Sequence, residues 1–163
     1  MPSITARQAL PSDASELVRL RGVMLASIHG GDPSTPGAWR TMAVETLHKR
    51  LSDHDPTMAA FVVDRPGNTG LAACAVGVIE TRLGGPDNPS GTVGYVFNVV
   101  TDEDQRRQGF SRACMQALLA WFADHGVTRI DLAASTEGEP LYHELGFRRT
   151  TSPRMQLKPR PNP

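Results

Sequence analysis

Residues Thr92 to Trp121, TVGYVFNVVTDEDQRRQGFSRACMQALLAW, carry more of the fold than any other stretch of this chain. An apolar run, Thr92 to Thr101, has the composition of a strand. A charged loop containing Gly109 follows, and from Phe110 the apolar positions Phe110, Ala113, Cys114, Ala117, Leu118, Trp121 and Phe122 recur at the helical period. The loop Arg106-Arg107-Gln108-Gly109-Phe110-Ser111 therefore lies where a helix begins. The first helical turn has N–H groups without intrahelical partners and the positive end of the macrodipole. Glycine lets the backbone curl closely around an anion, and arginines add charge. This pattern predicts a pyrophosphate cradle.

Working outward, Pro66-Gly67-Asn68 separates two apolar strands, Met58 to Asp64 and Leu71 to Thr81, and Gly84 to Gly91 forms a longer turn before the central stretch. Turn-connected strands are expected to be antiparallel. On the C-terminal side, His125-Gly126 ends the helix and Val127 to Ala134 reads as a strand. Strand, helix and strand between Tyr95 and Ala134 form one right-handed crossover, which makes those two strands parallel. Leu141 to Leu145 is expected to be a short helix, with two further short strands from Phe147 onward. Near the N-terminus, Ser3 to Arg7 reads as an edge strand, and Ser12 as the N-cap of a helix from Asp13 to about Ile28. The Gly30–Gly37 segment is a loop, and a second helix runs from Ala38 to Leu51. The expected architecture is α+β: a mixed, mostly antiparallel sheet with a parallel central pair and about four helices on its two faces. Residues 1–158 are expected to form one domain and 159–163 a frayed tail.

The sequence of 163 residues balances 17 Lys and Arg against 17 Asp and Glu, for a formal net charge of zero. That excludes general nucleic-acid binding, which needs a basic excess. Leu71 to Ile79 is far too short for a membrane span, and no leader pattern is visible, so a cytoplasmic, membrane-free protein is expected. Cys74 and Cys114 fall in apolar runs and read as buried free thiols. The 5 histidines form no His-Glu-x-x-His pair and there is no Cys-x-x-Cys, so no metal is expected.

The combination Arg106-x-x-Gly109-x-Ser111 at a helix start, followed by Leu141-Tyr142-His143-Glu144-Leu145-Gly146-Phe147, resembles the GNAT superfamily of N-acetyltransferases. The resemblance rests on Val99 to Arg112 and Ser135 to Phe147. It implies acetyl-CoA as acyl donor, with backbone contacts to its pyrophosphate from Arg107, Gln108, Gly109, Phe110, Ser111 and Arg112, and Arg106 as the first residue of the motif. It also implies that Val99, Val100 and Thr101 pair with the pantetheine arm as an added strand would. A backbone N–H near Val99 or Val100 would polarise the thioester carbonyl. Ser111 stands where the family usually has Gly or Ala, with a hydroxyl able to bond a phosphate, and Ser135 where many members carry an asparagine.

Tyr142 is the expected general acid for the leaving thiolate; packing of its short helix is the competing role. Glu80 is nominated as general base, against Asp64, Glu137 and Glu139. Trp39 suits a substrate pocket or helix packing equally. The acceptor is expected to be a primary amine of a small molecule, with the acidic Asp102-Glu103-Asp104 compatible with a cationic one. Peptide or protein N-termini and a non-catalytic acyl-CoA-binding module are alternatives, and the resemblance implies a homodimer as a partner. The rival chemistry is a serine hydrolase, because Gly109-Phe110-Ser111-Arg112-Ala113 is one residue from a nucleophile elbow, with Asp131 and His143 downstream.

Overall fold

The computed structural model describes residues 3–54, 56–67 and 69–162. The chain divides into two compact units, residues 1–133 and 134–163. The first contains a five-stranded sheet: β1 (Arg7–Gln8), β2 (Met58–Asp64), β3 (Leu71–Thr81), β4 (Thr92–Thr101) and β5 (Ile130–Leu132), in spatial order β1-β2-β3-β4-β5. The β1–β2, β2–β3 and β3–β4 pairs are antiparallel, and β4–β5 is parallel. Three helices accompany it, α1 (Ala14–His29), α2 (Ala38–Arg50) and α3 (Phe110–Asp124). The second unit holds α4 (Glu139–Glu144). The fold is α+β, as expected.

Strand alternation sorts the core onto two faces. On one, Leu17 and Leu20 of α1 pack with Val62, Cys74, Val76 and Val100 in a single buried cluster. On the other, α3 lays Phe122 and Leu118 across Gly77 and Gly94. Those two glycines are notches: a Cβ at either would fall 2.7 Å from the Phe122 ring. Gly126, with φ +71°, ends α3 in the left-handed conformation that glycine adopts without strain.

Several local expectations need correction. Ser12 is not an N-cap: Pro11–Asp13 is a 3-10 turn, and the Asp13 carboxylate accepts the Leu10 N–H at 2.7 Å while Arg7 grips it from outside. The Val127–Ala134 strand shrinks to three residues, because β4 offers it partners only along Gly94–Val96. Among the described residues past Phe147 there is no strand.

Candidate active site: a strand edge beside an uncapped helix

Two irregularities shape the end of β4. Asn98 is buried yet has φ +55°, and the β3–β4 register slips between Cys74 and Val76, so Asn98 and Val99 together oppose one residue of β3. This is a β-bulge, with Asn in the left-handed region it tolerates better than most residues. Second, β4 outruns its parallel partner. Its last residue paired with β5 is Val96, whereas the strand continues through Thr101. Phe97 to Thr101 therefore have an edge without a neighbouring strand. The Asp102 N–H bonds Ala72 O at 2.8 Å, so alternation turns the Thr101 N–H away from β3, onto that open edge.

The chain then turns through a loop into α3. Arg107 and Gly109 both take left-handed conformations, φ +63° and +81°, and no side chain caps the helix. The first intrahelical bond is Ala113 N–H to Gly109 O at 3.1 Å. The N–H groups of the opening turn thus have no partner inside the helix, and alternating backbone handedness makes a concavity for anions. Arg106, Arg107, Gln108 and Gly109 are exposed around it, while Phe110, Ser111 and Arg112 are half-buried. A side chain at Gly109 would be strained by its φ and would meet Ile4 Cδ1 at 3.3 Å. Such a concavity, with two arginines exposed beside it, is suited to an anion, and the open edge of β4 to an extended chain.

Two members of the acidic triplet, Asp102 and Asp104, are engaged in ion pairs. Asp102 is buried and accepts bonds from Arg19 (3.0 and 2.9 Å) and Arg65 (2.7 Å); Asp104 also pairs with Arg65 at 2.7 Å. Arg19 is held in turn by Glu16, whose carboxylate accepts the Leu71 N–H. Burial pushes the Asp102 carboxyl up, but the hydrogen bonds from Arg19 and Arg65 outweigh it and leave it below its usual value. These ion pairs pin the loop that carries the cradle. They involve residues 37 and 83 apart in sequence, so no local pattern announces them.

The remaining nominated residues are distributed differently. The Ser111 hydroxyl lies 2.5 Å from that of Thr101, tying α3 to the end of β4. That contact removes the hydroxyl as a nucleophile-in-waiting: its partner is another hydroxyl, while Asp131 pairs with Arg129 and His143 with Glu139. Glu80 stands opposite Val93, five residues before Asn98 and so roughly 16 Å along the strand at ~3.3 Å per residue; it is exposed and paired with Arg82. The register does not bring it to the bulge. Asp64 is held by Arg7 and Glu139 by Arg149. Trp39 is partly exposed, with the Arg40 guanidinium 4.6 Å over its ring. Both cysteines are free, and burial pushes the Cys114 thiol up to about 12 and Cys74 higher still, so neither is a thiolate at neutral pH. Among the described residues there is no metal-binding cluster, and no helix is long and apolar enough to cross a membrane.

In the second unit, Tyr142 of α4 is half-buried, with its ring edge-on to Phe147 at 6.0 Å. Burial raises its pKa, so the phenol keeps its proton at all ordinary pH. The Ser135 hydroxyl accepts the Gly138 N–H at 3.1 Å and shapes the turn into α4.

A mixed sheet with a bulged, half-unpaired strand feeding an uncapped helix is the architecture of an acyl-CoA-dependent transferase. The acetyltransferase (GNAT) family model matches residues 27–147, and the chain belongs to that family of acyltransferases. Solved structures share the fold. A predicted acetyltransferase from Clostridium acetobutylicum, determined with acetyl-CoA, superposes with a TM-score of 0.80 at 22% identity, covering 96% of each chain. A GCN5-related N-acetyltransferase from Ralstonia eutropha JMP134 gives 0.78 at 25% identity over 95% of this chain and 99% of the other. Glucosamine-6-phosphate N-acetyltransferase from Arabidopsis thaliana gives 0.73 at 16% identity, over 96% and 99%. No curated protein matches the sequence.

Proposed function

We propose that this protein is an N-acetyltransferase that moves an acetyl group from acetyl-CoA to a primary amine of a small molecule. The observation that carries this reading is the uncapped start of α3, with Arg107 and Gly109 left-handed, set directly after the open edge of β4. In this reading the loop backbone from Arg107 to Arg112 holds the diphosphate, and Arg106 and Arg107 add charge to it. Val99 and Thr101 hold the arm along the strand edge. Bound there, acetyl-CoA supplies an acetyl group already activated as a thioester.

Val100 pairs with Cys74 inside the sheet, so the N–H of Val99, at the bulge, is the donor best suited to polarise the acyl carbonyl. As the nitrogen–carbon bond forms and the carbon–sulfur bond breaks, sulfur departs with the electron pair. An ammonium acceptor releases two protons overall: one is lost to solvent, and the other restores the Tyr142 phenol after its proton has gone to sulfur. Its Leu-Tyr-x-x-Leu-Gly-Phe setting supports that role, and the phenol carries the proton it would give. Buried, protonated thiols leave no cysteine to carry the acyl group covalently, which favours direct attack.

Thermal unfolding with acetyl-CoA and with CoA tests the donor. A ligand binding only the native state at a hundred times its Kd adds ~2.7 kcal/mol, roughly 5–11 °C in Tm for a chain of this size. Gly109→Asp, strained and negatively charged in the cradle, is expected to fold and show no such shift. Wild-type protein without a shift at millimolar acetyl-CoA would overturn the reading.

A further inference from the structure

Three partly buried arginines beside the cradle and the N-terminal edge of the sheet are each gripped by two carboxylates. Arg7 is held by Asp13 and Asp64, Arg19 by Glu16 and Asp102, Arg65 by Asp102 and Asp104. Arg21 of α1, like Arg40 and Arg50, has no carboxylate partner among the described residues, and is set apart from those two by where it lies. It is partly buried, yet among the described residues its one partner is the neutral Asn98 Oδ1, 3.3 Å from Nη1. A guanidinium has five N–H donors in a rigid fork that matches carboxylate and phosphate oxygens two at a time, and a half-desolvated one without a counter-ion is costly to keep.

Its position gives this meaning. Asn98 is the bulged residue at which β4 has just parted from β5, so the Arg21 fork lies one side chain from the point where the acyl carbon is expected. The opposite face of the sheet is covered at Gly77 and Gly94 by α3, through Phe122 and Leu118. On the α1 side, the loop between α1 and α2 folds back against Gly22, where a Cβ would fall 2.5 Å from Pro33 O and 2.6 Å from the Arg40 guanidinium. Arg40 lies against Gly22 in that turn of α1, its own donors going to the carbonyls of Pro33 and Thr35. Asp102 and Asp104, the acidic residues after β4, are already paired with Arg19 and Arg65 and are not partners of Arg21.

We infer that the acceptor is an amine carrying an oxyanion group, carboxylate or phosphate, and that Arg21 holds that group with the amine directed toward the β4 bulge. This rests on the acetyl-transfer reading above and specifies its substrate class.

The test compares acceptors that differ only in the anion: L-amino acids against their amides, and O-phosphoethanolamine against ethanolamine, followed by CoA thiol release. The carboxylate and phosphate pairs distinguish which oxyanion is taken. In the wild type at least one charged member is expected to exceed its neutral counterpart at least tenfold in kcat/KM. Arg21→Gln is expected to erase that preference by raising KM for the charged member, with acetyl-CoA affinity unchanged, and Arg21→Lys to restore part of it. Comparing the ratio between wild type and variant cancels the intrinsic reactivities of the two amines. Independently of turnover, protein saturated with CoA, its cradle filled, is titrated with inorganic phosphate and with acetate. Thermal stabilisation by either anion is expected for wild type and absent in Arg21→Gln. Equal rates within every pair, or an anion response indifferent to Arg21→Gln, overturns the inference and leaves acetyl transfer standing. Failure to bind acetyl-CoA overturns the transfer reading itself, and this inference with it.

Discussion

At the scale of single residues, the proposed site rests on a few groups whose chemistry is set by small geometric facts. Tyr142 keeps its proton because burial disfavours the phenolate. Under the proposed mechanism Tyr142→Phe is expected to lower kcat by ~10²–10⁴ while leaving acetyl-CoA affinity alone, as steady-state kinetics and calorimetry would show. Ser111 is an ordinary structural hydroxyl in this account. Ser111→Ala loses its contact with Thr101, a matter of ~1 kcal/mol, and should retain acetyl transfer; a fall to background in the thiol-release assay would return the serine to the chemistry. The cradle glycine and the tyrosine can be read in the sequence because their motifs are contiguous. Arg21 cannot, since its significance lies in Asn98, 77 positions away, and in the carboxylates it lacks.

At the scale of elements, sheet and helix meet through shape. Gly94 and Gly77 sit where α3 crosses, and the Phe122 ring occupies the space their missing side chains leave. Gly94→Val should overpack this contact by ~1–3 kcal/mol, read as a lower midpoint in urea with the slope unchanged. Hydrophobic periodicity recovers β2, β3, β4 and α3 because each pairs or packs along its whole length. It overreaches at Val127–Ala134 and past Phe147, where β-forming residues find few partners or none. A strand's existence depends on its neighbour, and propensity carries no record of the neighbour. The bulge at Asn98 is likewise invisible beforehand, since nothing in NVV marks a change of register.

At the scale of the whole molecule, the run of ion pairs Glu16–Arg19–Asp102–Arg65–Asp104 ties α1 and the turn after β2 to the loop after β4. Asp102 lies below its usual value, and Arg65 holds Asp104 down at about 2. Folded values below unfolded ones mean stability that is present above about pH 4 and lost as pH falls toward 2. Asp102→Asn should flatten that acid limb. At neutral pH it should cost ~1–3 kcal/mol, less than a fully buried pair because both arginines reach solvent, and it should weaken acetyl-CoA binding by loosening the loop. Urea unfolding at pH 7 and pH 3 checks both. The unaccompanied stretch of β4 from Phe97 to Thr101 has a consequence of another kind. A row of unsatisfied backbone groups is a template for strands from other chains, and here a donor molecule is what would cover it. If the proposed donor lies there, preparations stripped of CoA should clump on storage sooner than loaded ones, and the acyl donor would double as a guard against aggregation.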